Sequence, residues 1–312
     1  MARRLLLILN PAAAASRDQS SRLDRLVGGL ERFGHRVEKC PTKAGGQAIH
    51  LAREAQGHDA VVAVGGDGTV NEVATGLMLR GDGAPLLGIA PFGTGNDVAK
   101  LVGTAEDDGF LAAVGSWSER RLDVMHVDFA RQGGGREQRA AILFAAVGFA
   151  SELLKQTTPR VKRWFGPQLC YSVGFFRALL RYRTPLIHAR ASGLEVCEHM
   201  LVAYAANAPH AGAGMMQLAP GASMQDGLMN MSLIRQTSRW EAAIQFPRLL
   251  KGTHIGHPKV RYFTGTELEL NCDQSLEVAI DGDIVGSTPA KIQLRPGHLR
   301  VLSRRMRKVH LE

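Results

Sequence analysis

Short, wholly apolar segments alternate with stretches whose apolar residues recur every three or four positions through the first part of the chain. Leu5 to Leu9, Val37 to Cys40, Ala60 to Val64 and Leu86 to Ala90 read as buried strands. Between them the spacing is helical, as with Val70, Val73, Ala74, Leu77 and Met78 on one face. From Arg4 to about Phe129 this alternation predicts a doubly wound α/β domain with a parallel sheet. After Asp128 the segments shorten: Ala140 to Val147, Val196 to Ala206, Met229 to Ile234, Leu268 to Leu270 and Leu276 to Ile280 predict a mainly antiparallel β domain. Helical stretches near Gln168 to Tyr182 and Ser238 to Leu250 interrupt it. Arg131-Gln-Gly-Gly-Gly-Arg136 is flanked by strand-like runs and reads as a hairpin loop. The expected division is therefore residues 1–130 and 131–312, with the last residues packing back on the first domain.

Two strand-to-helix junctions carry candidate chemistry. In Val64-Gly65-Gly66-Asp67-Gly68-Thr69-Val70-Asn71-Glu72 an apolar strand stops at two glycines, a carboxylate and a hydroxyl before a helix begins. Such a turn aims backbone N–H groups at whatever sits on the helix N-terminus, where partial positive charge favours an anion. A second turn, Pro91-Phe92-Gly93-Thr94-Gly95-Asn96-Asp97, follows the next strand. One glycine-rich turn alone is an ordinary connection; two in succession form a crevice at the carboxyl edge of the sheet, where open α/β sheets bind ligands. Neither is a P-loop or a dinucleotide fingerprint, since GxxxxGK[ST] and GxGxxG with its acidic partner are absent.

Composition narrows the classes. With 45% hydrophobic residues in 312, the chain can build a sizeable core. Cys40, Cys170, Cys197 and Cys272 are scattered without a CxxC pair, which argues against a zinc site or disulfide framework and fits a reducing compartment. The apolar stretch after Arg3-Arg4 ends at Asn10-Pro11, short of the roughly 7 to 15 residues of a secretory core, and Ala140 to Ala150 is short of the roughly 20 of a membrane span. A net charge of +9 makes an anionic partner plausible. Only 6% of residues are aromatic and no reader motif occurs, so nucleic acid is not the expected partner. The histidines lack HExxH spacing and read as structural or exposed.

The two motifs, GGDGTVNE at Gly65 to Glu72 and P-x-GTGND at Pro91 to Asp97, resemble the lipid kinase family whose catalytic domain is shared by diacylglycerol, sphingosine and ceramide kinases, especially its soluble bacterial members. Similarity continues through Arg163 to Tyr171, Leu179 to Arg183, Asn207 to Met215, Ala219 to Ala222, Asp226 to Leu228 and Ile280 to Asp283. NAD kinases and phosphofructokinases share GGDGT, but in NAD kinases the Asn-Glu pair comes much later than Asn71-Glu72 does here.

The resemblance implies a first domain of the NAD kinase and phosphofructokinase type, a C-terminal β-sandwich, and an ATP- and Mg²⁺-dependent kinase for diacylglycerol or a related lipid. It implies that Gly65, Gly66, Gly68, Thr69, Val70 and Asn71 cradle ATP, with Asn10, Thr42 and Thr94 as further nucleotide contacts. Asp67 would handle magnesium or orient the phosphates. The first turn departs from the family's Asn-Pro-x-Ser-Gly, reading Asn10-Pro11-Ala12-Ala13-Ala14, so a hydroxyl and a glycine are missing there.

Asp281-Gly282-Asp283 stands where the family carries Asp-Gly-Glu, which implies that Asp283 is the base and that Asp281 beside it is also catalytic. The same residues are an ordinary hairpin signal. Ser223, Asp226 and Leu228 match a loop in which some relatives hold Mg²⁺, while a bare turn explains them equally. Val161 to Arg183 mixes aromatics with arginines and fits either an anionic membrane surface or a helix packed on the β domain; the basic Arg304, Arg305, Arg307 and Lys308 fit a solvated tail as well. A cytoplasmic enzyme meeting its lipid peripherally is the expectation, with homodimerisation left open. A kinase for a soluble acceptor, and a nucleotide- or lipid-binding protein that has lost catalysis, are the alternatives.

Overall fold

The computed structural model describes residues 1–11, 16–157 and 159–304. Ala12 to Ala14 of the altered first turn, and Arg305, Arg307 and Lys308, lie outside the described residues, as do the side chains of Arg160, Lys162, Arg163 and Phe165. The chain divides into two units, Met1–Leu122 with the stretch from Gly297 onward, and Asp123–Pro296.

The first unit contains β1 (Arg4–Leu9), α1 (Arg17–Arg32), β2 (Arg36–Pro41), α2 (Gln47–Glu54), β3 (Ala60–Gly65), α3 (Asp67–Arg80), β4 (Leu86–Pro91), α4 (Asp97–Val102), α5 (Asp107–Ser116) and the start of β5 (Glu119–Ala130). Its sheet runs β2-β1-β3-β4, all parallel, with Val301 of the last strand beside Leu87. β3 and β4 are buried along their whole length, which is why their sequence is apolar without alternation. The chain leaves β2 and returns across β1 to β3, so the order reverses between β1 and β3. That reversal opens a crevice at their carboxyl ends.

The second unit continues with β6 (Arg136–Ala141), β7 (Phe144–Gly148), α6 (Phe149–Gln156), α7 (Pro159–Arg181), β8 (Leu186–Ala191), β9 (Leu194–Ala206), β10 (Met229–Arg235), α8 (Arg239–Leu250), β11 (Val260–Gly265), β12 (Glu267–Asn271), β13 (Glu277–Ile280) and β14 (Asp283–Leu302). The long β9 pairs antiparallel with β8 along its first half and with β7 and β10 along its second. β14 pairs antiparallel first with β13 and then with β12. Strands that change partners in this way join the two layers of a sandwich. Val127, Phe129, Met231, Leu270, Ile280 and Ile292 belong to the core between them.

Some elements differ from the sequence expectation. Ala140 to Val147 is two strands, because the N–H groups of Ile142, Leu143 and Phe144 turn away from strand pairing to a side-chain carboxylate. The helical stretch before Tyr182 begins at Pro159 and breaks at Gly166, whose φ of 74° no helix accommodates. The Arg131 to Arg136 hairpin is present, with Ala130 opposite Arg136 and Gly133, Gly134 and Gly135 all at positive φ. The chain passes from one unit to the other between Leu122 and Asp123, within β5, a few residues before the sequence-based position near residue 130.

Candidate active site

In the first unit, Gly66 is the N-cap of α3, and the first intrahelical bond runs from Val70 N–H to Gly66 O at 3.1 Å. The amides of Asp67, Gly68 and Thr69 precede it and open toward the helix N-terminus. Gly65 closes β3, where its carbonyl accepts from Phe92 N–H at 3.0 Å. A side chain on Gly65 would overlap the Thr69 hydroxyl. Thr69, Val70 and Asn71 are buried.

The remaining candidates lie at the ends of neighbouring strands. Asn10, just past β1, donates from Nδ2 to Thr69 Oγ1 at 3.3 Å, and its backbone N–H reaches Val64 O. Thr42, after β2, holds Leu9 O through both its N–H at 2.8 Å and its hydroxyl at 3.2 Å. Thr94 is exposed on the second turn. That turn is locked by Asn96, whose side chain accepts from Gly93 N–H at 3.0 Å and donates to Gly93 O at 2.9 Å. Its left-handed backbone, φ 49°, directs the chain into α4. Gly93 abuts Gly66 backbone to backbone, so the two turns line one cradle.

Asp67 is the first residue of α3 and accepts from Val98 N–H at 3.4 Å. Burial, followed by the nearby Asp97 carboxylate, raises its carboxyl above the ordinary Asp range. Asp97 is itself buried and paired with Lys100 at 3.2 Å. The structure thus joins two carboxylates from separate motifs, a pairing their spacing in the chain did not show. Glu72 also has a role that sequence reasoning left unassigned: its carboxylate accepts from Gly46 N–H at 2.9 Å and Ala48 N–H at 3.3 Å, fixing the start of α2.

In the second unit, Asp281 and Gly282 form the two-residue turn between Ile280 and Asp283, both at positive φ as such a hairpin requires. The Asp281 carboxylate accepts from Ile142 N–H and Leu143 N–H at 2.8 Å and from Phe144 N–H at 2.9 Å. It therefore anchors the break between β6 and β7. Asp283 is exposed at the head of β14.

The third candidate cluster is a loop of oxygen donors. Asp226 Oδ1 accepts from Leu228 N–H at 3.0 Å, and Ser223 Oγ accepts from Gln225 N–H at 3.3 Å. Buried Asp123 ties this loop down, accepting from Gly227 N–H at 2.8 Å while its own N–H reaches Met224 O at 2.7 Å. Among the described residues no group of three His, Cys, Asp or Glu side chains converges as a metal site. A hard cation there would depend on Asp226 with the Ser223 and Leu228 carbonyls, a donor set that suits Mg²⁺. Asp123 was missed in the sequence, although an acid inside the apolar run Leu122 to Met125 is its signal.

Comparison with known proteins shows the family. Residues 4–127 match the diacylglycerol kinase catalytic domain, and residues 147–303 match the YegS C-terminal NAD kinase beta sandwich-like domain. The diacylglycerol kinase of Bacillus subtilis (strain 168) is 25% identical over 307 residues, covering 96% of both chains. That of Staphylococcus aureus (strain MRSA252) is 25% identical, covering 97% of this chain and 93% of the relative. The crystal structure of a diacylglycerol kinase from Bacillus anthracis str. Sterne shares the fold, with a TM-score of 0.69, 20% identity and 97% of each chain covered. The chain belongs to the diacylglycerol kinase family of lipid kinases and is a phosphotransferase.

Proposed function

We propose that the protein transfers the γ-phosphoryl group of ATP, with Mg²⁺, to a hydroxyl of diacylglycerol or a related lipid. The observation that supports this reading is the joined pair of glycine turns at the head of α3, with Asn10 bonded to Thr69 beside them; Thr42 and Thr94 are read as further donor contacts. Gly65, Gly66, Gly68, Thr69, Val70 and Asn71 bind the donor phosphates in this cradle, where backbone donors and the helix N-terminus stabilise negative charge.

Asp67 orients the donor or holds its cation. The raised affinity of its carboxyl for a proton means that a cation beside it would relieve the repulsion with Asp97. Bound Mg²⁺ would supply charge neutralisation on the transferring group. Asp283 accepts the proton of the lipid hydroxyl as general base. Asp281 serves as a positioning residue, since its carboxylate is occupied by three backbone donors. Ser223, Asp226 and Leu228 form the loop suited to a structural Mg²⁺.

A mixture of lipid extract and soluble metabolites, offered γ-labelled ATP and separated by thin-layer chromatography, tests the acceptor class. Label in the lipid fraction supports the reading. Label only on NAD or a sugar phosphate would replace it with a kinase for a soluble acceptor, and ATP binding without turnover would make the protein a binding module.

A further inference from the structure

The outward stripe of α8 contradicts what a surface helix normally shows. Residues 240, 244, 247, 248 and 251 recur on one helical face, and all are exposed. Trp240 is 82% exposed and Ile244 70%, where a solvated helix carries polar side chains. The opposite face is already satisfied: Ala242 and Phe246 are buried, and the Phe246 ring lies 4.3 Å from that of Phe175. Trp240 and Ile244 therefore do not belong to the core of the second unit.

The apolar surface continues onto α7. Phe176 is 46% exposed and Leu180 67%, and the Phe176 ring stands 5.7 Å from Phe246, which joins the two helices. The charge around this patch has one sign. Arg177, Arg181, Arg183, Arg239, Arg248 and Lys251 are exposed around it. The sequence of α7 contains no acid, and the sole acid of α8, Glu241, is bound to Lys259 at 2.6 Å and lies 3.5 Å from His257. No helix is long and apolar enough to cross a membrane among the described residues, so the patch has the character of an interfacial surface.

We infer that the α8 face bearing Trp240 and Ile244, extended by Phe176 and Leu180, docks on an anionic phospholipid bilayer. The apolar side chains enter at headgroup depth, and Arg239, Arg248, Arg177 and Arg181 meet the lipid phosphates. This inference rests on the reading that the acceptor is a membrane lipid, and it adds which surface meets the membrane. Cations alone would give a binding that salt removes, and an apolar patch alone would not distinguish lipid charge; their combination predicts a surface that requires both.

The test is sedimentation of the full-length protein, without nucleotide, with vesicles of phosphatidylcholine alone or mixed with phosphatidylglycerol. The wild type should partition onto the anionic vesicles, and Trp240→Ser/Ile244→Ser should lower that partitioning about tenfold or more. The double variant should keep its unfolding midpoint and its activity on a short-chain, water-dispersed diacylglycerol. Brominated acyl chains should quench tryptophan fluorescence in the wild type and much less in the variant.

Equal partitioning of variant and wild type overturns the inference, as does failure of the wild type to bind anionic vesicles. So does a result in which the substitutions break a dimer and leave vesicle binding intact. If vesicles are bound through α8 but no lipid is phosphorylated, the functional reading fails and the docking surface stands. If dispersed lipid is phosphorylated while the substitutions leave vesicle binding unchanged, only the docking surface fails.

Discussion

Gly93 lies against Gly66 so closely that a methyl group on Gly93 would overlap the Gly66 Cα and stand 2.9 Å from Asn96 Oδ1. Neither neighbour can yield cheaply, since one is backbone and the other side chain closes the turn through two hydrogen bonds. Gly93→Ala must therefore push the two turns apart. Overpacking of this kind costs about 1–3 kcal/mol. We expect a lowered unfolding midpoint in urea and a rise in the KM for ATP of about tenfold or more, because misplaced cradle donors weaken phosphate binding. Unchanged KM with Ala at this position would show that the second turn does not shape the donor site.

The three Asp281 contacts separate two carboxylates only two residues apart. Asp281→Ala leaves the amides of Ile142, Leu143 and Phe144 without their acceptor, and a buried unsatisfied donor costs about 1–3 kcal/mol. That variant should lose stability by at least this amount in urea titration. Asp283→Asn, at an exposed position, should leave the midpoint within about 0.5 kcal/mol. Its kcat should fall by about 100-fold to 10,000-fold, the usual contribution of a general base. Equal effects of the two substitutions on stability would contradict this division of roles.

Asp67 yields a pH prediction. Burial first, and Asp97 second, raise its carboxyl in the folded chain, so folding favours the protonated form. That contribution is fully present below the ordinary Asp value of about 3.9 and is lost as pH rises through the raised folded value. At pH 8 the fold carries the cost of a buried carboxylate. Asp67→Asn should accordingly be more stable than the wild type at pH 8, with the gain vanishing as pH falls below the ordinary Asp range. Urea midpoints measured across that range decide it; a variant less stable than the wild type at pH 8 would contradict the assigned cause.

The architecture was readable where a single physical demand dominates a segment. β3 and β4 are buried throughout and announce themselves as unbroken apolar runs. Ser238, placed at the start of a helical stretch, is the N-cap of α8 and accepts from Glu241 N–H at 3.2 Å. Reading failed where demands come from distant residues. The break at Ile142 and Leu143 depends on Asp281, far along the chain. β14 alternates without forming an apolar run, and Asp123 and Glu72 owe their positions to backbone donors that only the folded chain brings near. The glycine turns were legible as strand-to-helix turns, but their mutual contact required Gly66 and Gly93 to meet in space.

Under the proposed function, the cradle at the head of α3 delivers a phosphoryl group to a lipid hydroxyl. The most direct measurement is transfer of label from γ-labelled ATP to diacylglycerol in mixed micelles, by the wild type and by Asp67→Ala, with circular dichroism confirming that both are folded. Labelled phosphatidic acid is expected from the wild type, and none above background from the variant. Equal product from both, or no labelled lipid from the wild type, would contradict the proposed function.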